Sequence, residues 1–203
     1  LLFSPLVRAD GEGFPTPPPA PAENLPVALT DPNAAYLVFI AGDSTIVGAM
    51  ENIGATNVRY RSNSQPVTSE DWDWCDIVIL GSNDGGDSVS GIKARDIETG
   101  ITGRVVLSGH DVDLHASDVY SGSVKWAAQV FFIQTINYVL AGEGKGLIGF
   151  GDTDSGFEWA PQSWELAYTK EFNLNTVLSF TEAGAASGVF EHLTPTLMSD
   201  WYE

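Results

Sequence analysis

The chain has 203 residues and a formal net charge of −18, which arises from 27 acidic and nine basic residues. This length suits one domain with appendages, and a hydrophobic content of 43% favours a folded core over disorder. So acidic a surface repels phosphate groups, which argues against nucleic acid as a partner. The chain contains no apolar run long enough to predict a transmembrane segment, and the single cysteine, Cys75, excludes an intrachain disulfide.

The first 34 residues differ in composition from the rest. Residues 14–21 read Phe-Pro-Thr-Pro-Pro-Pro-Ala-Pro and predict an extended polyproline II segment. Such an arm loses little entropy on docking, so it suits contact with a neighbouring subunit. The apolar residues predicted to make that contact are Leu1, Leu2, Phe3, Leu6, Val7 and Phe14. The alternative is a flexible linker, in which residues 1–9 end the apolar region of a signal peptide.

From residue 35 onward, strand and helix patterns alternate. Continuous apolar runs predict strands that are buried on both faces, at residues 36–41, 76–80, 104–107 and 146–150. Alternating apolar and charged residues predict an edge strand at 57–62, and a last strand is predicted at 175–181. Helices are predicted near 43–54, 89–100 and 124–140, and the third is apolar nearly all round. The order predicts an α/β three-layer sandwich with a mostly parallel, flavodoxin-like sheet over residues 35–203, preceded by the extended Pro-rich arm at 1–34.

Aspartates follow each of the four buried strands. They are Asp43, Asp84, Asp87, Asp111, Asp113, Asp152 and Asp154. Ligands of parallel sheets bind beyond the carboxyl ends of the strands, and grouped carboxylates suit a hard cation such as Ca²⁺ or Mg²⁺. The sequence therefore allows a cation site on this rim. The alternative is that each aspartate independently caps the helix or turn that follows it.

The segment 103–115 holds the densest group of reactive side chains. A buried strand runs there into a polar turn that contains Ser108, His110 and Asp113, the candidate residues of a hydrolase. The Gly-x-Ser-x-Gly elbow is not present, because the two glycine positions hold valine and histidine. Two histidines and two aspartates in this turn also suit a transition metal, although their spacing matches no strong metal signature. The alternative for His110 and His115 is a structural role.

The same segment resembles a stretch of glutamine amidotransferase-like domains in secreted bacterial proteins. Its pattern is a glycine, an apolar strand and then Ser-Gly-His-Asp-Val-Asp-Leu-His, and the resemblance covers about residues 36–150. It implies the class I glutamine amidotransferase-like fold and an extracellular or cell-surface location. True members use a Cys–His–Glu triad with the cysteine on an elbow after a central strand. Here Ser108 to His110 occupies that place, so amidotransferase activity is not expected.

Three functions are compatible with these patterns. The first is a non-catalytic extracellular protein, a surface or filament subunit that forms homo-oligomers through its N-terminal arm. The second is a binding module that holds a carbohydrate at the acidic rim, with or without Ca²⁺, because aromatic rings near polar groups suit sugar stacking. The third is a hydrolase that uses Ser108, His110 and Asp113.

Overall fold

The computed structural model describes residues 6–7, 24–40, 45–62, 64–82, 94–108, 111–150, 176–177 and 186–194. The elements within these ranges are β1 (Leu6–Val7), β2 (Tyr36–Ile40), α1 (Thr45–Asn52), β3 (Val58–Ser62), α2 (Ser69–Trp74), β4 (Ile77–Leu80), α3 (Ala94–Gly100), β5 (Val105–Ser108), α4 (Val112–Ala116), α5 (Gly122–Leu140), β6 (Gly146–Phe150) and β7 (Thr176–Val177). No helix in these ranges is long and apolar enough to cross a membrane.

Five parallel strands form the main sheet, in the order β3-β2-β4-β6-β5. The predicted parallel, flavodoxin-like α/β arrangement is thus confirmed, with one difference from the simplest flavodoxin order: β6 inserts between β4 and β5. Burial explains this placement. All five residues of β6 are buried, as an interior strand requires, whereas β5 alternates between buried and partly exposed residues, as suits an edge.

Helices cover both faces of this sheet, as the three-layer prediction requires. Successive residues of β2 point to opposite faces. Tyr36 and Val38 join the core under α1, α4 and α5, whereas Leu37 and Phe39 join the core under α2 and α3. The strand β2 is apolar throughout because each of its two faces packs in a core and needs its own set of apolar side chains.

The long helix α5 is buried along most of its length, in agreement with its apolar sequence. On one side the ring of Phe132 meets that of Phe150 from β6 edge to face, with centroids 5.0 Å apart. On another side Phe131 stacks on Phe190 with centroids 5.7 Å apart. Gln134 Nε2 donates a hydrogen bond to the Glu191 carbonyl. The described residues 186–194 therefore cover one side of this helix.

Residues 24–34 form a strap across α5. The alternating residues Leu25, Val27 and Leu29 are half-buried against the core. Asn137 on α5 fixes the strap through hydrogen bonds: its Oδ1 accepts from the Thr30 N–H at 2.9 Å, and its Nδ2 donates to the Ala28 carbonyl at 2.9 Å. These residues belong to the stretch that the sequence predicted as an arm, and they lie on the domain.

The strand β1 pairs antiparallel with β7, with Leu6 opposite Val177 and Val7 opposite Thr176. The strand predicted at 175–181 is described at 176–177, where it pairs with β1, and its other predicted residues lie outside the described part of the chain. Leu6 and Val7 of the predicted subunit contact lie in β1. Leu1, Leu2, Phe3 and Phe14 lie outside the described residues.

Candidate site at the carboxyl edge of the sheet

The carboxyl ends of the parallel strands form one edge of the domain, where the sequence predicted the site. The chain leaves β2 toward α1 on one face of the sheet and leaves β4 toward α3 on the other. This reversal between neighbouring strands is a topological switch point, the usual ligand position in open α/β sheets. Gly81 and Ser82 follow β4 directly at this edge.

Asp113 of α4 reaches this edge and binds Ser82. The Ser82 hydroxyl donates to Asp113 Oδ1 at 2.5 Å, and the Ser82 N–H lies 3.2 Å and 3.1 Å from Oδ1 and Oδ2. The Asp113 side chain is 1% exposed, so the contact is shielded from water. Gly81 permits this approach, because a Cβ atom there would lie 3.1 Å from Asp113 Oδ2 and 3.3 Å from the Phe39 carbonyl oxygen.

Burial raises the pKa of Asp113 to about 7. Hydrogen bonds from the Ser82 hydroxyl, the Ser82 N–H and the backbone of Asp113 itself favour the charged form, and the nearby charge of Asp111 opposes it. Desolvation outweighs the hydrogen bonds because no cationic side chain pairs with this carboxyl among the described interactions. The pKa of Asp113 therefore lies near neutral pH, far above the usual pKa range of an aspartate.

Asp111, which directly precedes α4, forms a second pair with His115 of that helix. His115 Nδ1 lies 3.1 Å from both the carbonyl oxygen and Oδ1 of Asp111, so this nitrogen is placed to donate its proton. The buried His115 ring also stacks on Tyr120, with centroids 4.2 Å apart. These contacts fix the turn between α4 and α5, and they favour the structural role for His115.

The candidate catalytic residues do not form a triad within the described part of the chain. Ser108 ends β5 and is buried. The Ser82 hydroxyl donates to Asp113. His110 lies outside the described residues. The hydrolase hypothesis thus gains no support from Ser108 and Asp113, and the place of His110 stays untested.

Of the aspartates predicted to form a cation site on this rim, only Asp111 and Asp113 lie within the described residues. Asp43, Asp84, Asp87 and Asp152 lie outside the described residues, as does Asp154. Among the residues whose positions are described, no three His, Cys, Asp or Glu side chains lie together as a metal site requires. A Ca²⁺ or Mg²⁺ site at this edge stays a prediction.

Sequence reasoning missed Ser82, which contributes the best-defined contact of the edge. Its position directly after a buried strand and a glycine was the available signal. Cys75 is buried, and burial raises the pKa of its thiol despite the opposing effect of Lys145, as expected of a structural rather than a reactive cysteine. Comparison of the chain with protein-family models, curated proteins and solved structures finds no match.

Proposed function

We propose that the chain is a non-catalytic extracellular assembly protein, a subunit of a surface layer or filament. One observation carries the proposal: the polar side chains described at the carboxyl edge are paired with one another or buried. Ser82 binds Asp113, Asp111 binds His115, and Ser108 is buried. An active site instead directs a nucleophile, a base and an oxyanion donor toward one point that a substrate can reach.

The N-terminal arm supplies the contact between subunits in this proposal. Its first seven residues are mostly apolar, and the Pro-rich stretch 14–21 keeps it extended before docking. The strap supports this role because it fixes the base of the arm to α5 through Asn137. An arm that is anchored firmly at one end transmits a contact made at its other end to the whole domain.

The acidic surface sets the conditions for assembly. Copies that each carry a net charge of −18 repel one another. At moderate ionic strength, dissolved salt largely screens this repulsion between charges more than about 10 Å apart. Apolar arm contacts are not weakened by salt in this way. The proposal therefore favours assembly at moderate to high ionic strength, which agrees with an extracellular setting.

Light scattering tests the proposal by comparing the full chain with a chain that begins at residue 24. The shorter chain keeps the whole strap and its packing on α5, but it also removes β1 and thus its pairing with β7, which a variant changed only at residues 1–3 keeps. We expect the full chain to be an oligomer and the shorter chain to be a folded monomer. A full-length variant with serine at Leu1, Leu2 and Phe3 serves as the matched control and should also be monomeric. A monomeric full chain, or an oligomer that survives the truncation, would contradict the proposal.

A further inference from the structure

The strands β1 and β7 form a small sheet of their own. They share no strand with the main five-stranded sheet, and they pair antiparallel, with Leu6 opposite Val177 and Val7 opposite Thr176. A two-stranded sheet is marginally stable on its own, and this one is described over two residues on each side. The backbone pairing described between β1 and β7 is therefore weak enough to open and re-form.

A Pro-rich linker joins β1 to the strap. It covers residues 8–23, and five of these 16 residues are proline. Its stretch 14–21 is predicted to form polyproline II, which at about 3.1 Å per residue spans about 25 Å. A compact domain of about 170 residues has a radius of gyration of about 15 Å. The linker is therefore long enough to carry β1 to a neighbouring domain.

We propose that copies of the chain assemble by exchanging this strand: β1 of one copy pairs with β7 of the next, in the register that β1 and β7 have within one chain. This inference rests on the proposed assembly function and names the surface on which the arm docks. Exchange costs little, because the hydrogen bonds between β1 and β7 are the same in the closed and the exchanged form. Exchange wins where copies are crowded, since a flexible linker gives the closed form an effective concentration of only about the millimolar range.

Exchange of this kind links copies head to tail. Each copy donates its β1 and receives the β1 of another copy on its β7, so the contact uses two different surfaces and continues as a filament or closes into a ring. The apolar residues 1–3 directly precede β1, so exchange delivers them to the same neighbour. Asn137 ties Thr30 and Ala28 to α5 just after the linker. The exchanged strand thus connects one folded domain to the next.

Cysteine cross-linking between two different full-length chains tests the exchange. Both chains carry Cys75→Ala, which removes the only native thiol; one adds Leu6→Cys, and the other, distinguished by an affinity tag, adds Val177→Cys. The chains are mixed in reducing buffer at low ionic strength, brought to moderate ionic strength and then oxidised. Directly opposite positions of an antiparallel pair lie within disulfide distance. We therefore expect a disulfide-linked dimer that contains one chain of each kind.

Thr176→Cys provides the matched control for Val177→Cys, because successive strand residues point to opposite faces of a sheet. Its mixed dimer with Leu6→Cys should form at least about tenfold more slowly. If Leu6→Cys or Val177→Cys does not fold, Val7→Cys in one chain and Thr176→Cys in the other report the same register.

Light scattering of the same mixtures before oxidation separates strand exchange from the assembly on which it rests. A mixed disulfide in the expected register, formed within an oligomer, supports both. An oligomer that gives no mixed disulfide, or that cross-links equally fast in the off-register control, would overturn strand exchange and leave assembly through another docking surface standing. Monomers before oxidation would overturn both.

Discussion

Replacing Phe132 with alanine is expected to lower the free energy of unfolding by about 4 kcal/mol. This ring is fully buried at the centre of α5 and packs edge to face on Phe150 of β6. The substitution removes the apolar contact between the longest helix and an interior strand, and it leaves a cavity that close packing on both sides keeps from collapsing. Urea unfolding measures the loss, and the slope with denaturant should stay unchanged.

Val119 provides the control for this experiment, because it is the large apolar side chain that the described structure exposes most, at 66%. Val119→Ala should change the free energy of unfolding by less than about 0.5 kcal/mol. If Phe132→Ala cost no more than this control, α5 would not pack on the sheet as described. The assignment of α5 to the core between the sheet, the strap and residues 186–194 would then be wrong.

Replacing Asp71 with alanine is expected to cost about 3 kcal/mol. Asp71 is fully buried and accepts hydrogen bonds from Arg59 at 3.0 Å and from Arg61 at 2.7 Å. It also closes the capping box of α2 with Thr68. Its removal leaves two guanidinium groups side by side without their carboxylate. Water reaches both arginines, whose side chains are 28% and 31% exposed, so the cost lies at the lower end of the range for broken buried pairs.

The same cluster predicts a pH dependence. Burial acts to raise the pKa of Asp71, but hydrogen bonds from Arg61, Arg59 and Thr68 outweigh it and hold the pKa well below its usual range. The stabilisation by Asp71 is therefore present above the ordinary pKa of an aspartate and is lost as the pH falls toward the lowered value. Asp71→Ala should lose this acid-dependent part of its stability.

Glu70 is the matched control for Asp71, because it neighbours Asp71 and approaches Arg59 to 3.5 Å, yet its side chain is 83% exposed. Glu70→Ala should cost less than about 1 kcal/mol. Chemical denaturation of the two variants side by side separates a buried cluster from a surface ion pair. Equal losses would show that burial of Asp71 does not matter.

The sheet was predictable because the residue pattern of each strand indicates whether the strand lies in the interior or at the edge of the sheet. The unbroken apolar sequence of β2 demands cover on both faces, and the arginines of β3 mark an edge. The insertion of β6 beside β4 was not predicted. Apolar runs report burial but not which strands are neighbours, and only the glycines of β6 hint at the close packing that an interior position brings.

Short helices and long-range polar contacts were harder to foresee. Residues 69–74 were not predicted to be helical, yet they form α2, because Thr68 and Asp71 close a capping box. Likewise Asp111 and Asp113 looked equivalent in a turn, whereas α4 points Asp113 into the domain and leaves Asp111 beside His115. The partner of Asp113 is Ser82, which lies 31 residues earlier, and no local pattern reports such a contact.

The proposed role of the arm has one most direct test, which is competition by a free peptide of residues 1–23. Added in excess to the full chain, this peptide should occupy the surface to which the arm of a neighbouring subunit docks. The account predicts that light scattering then shows the oligomer dissociating to monomers, whereas a scrambled peptide of the same composition leaves its size unchanged. An oligomer of unchanged size in excess peptide would contradict an assembly held together by the N-terminal arm.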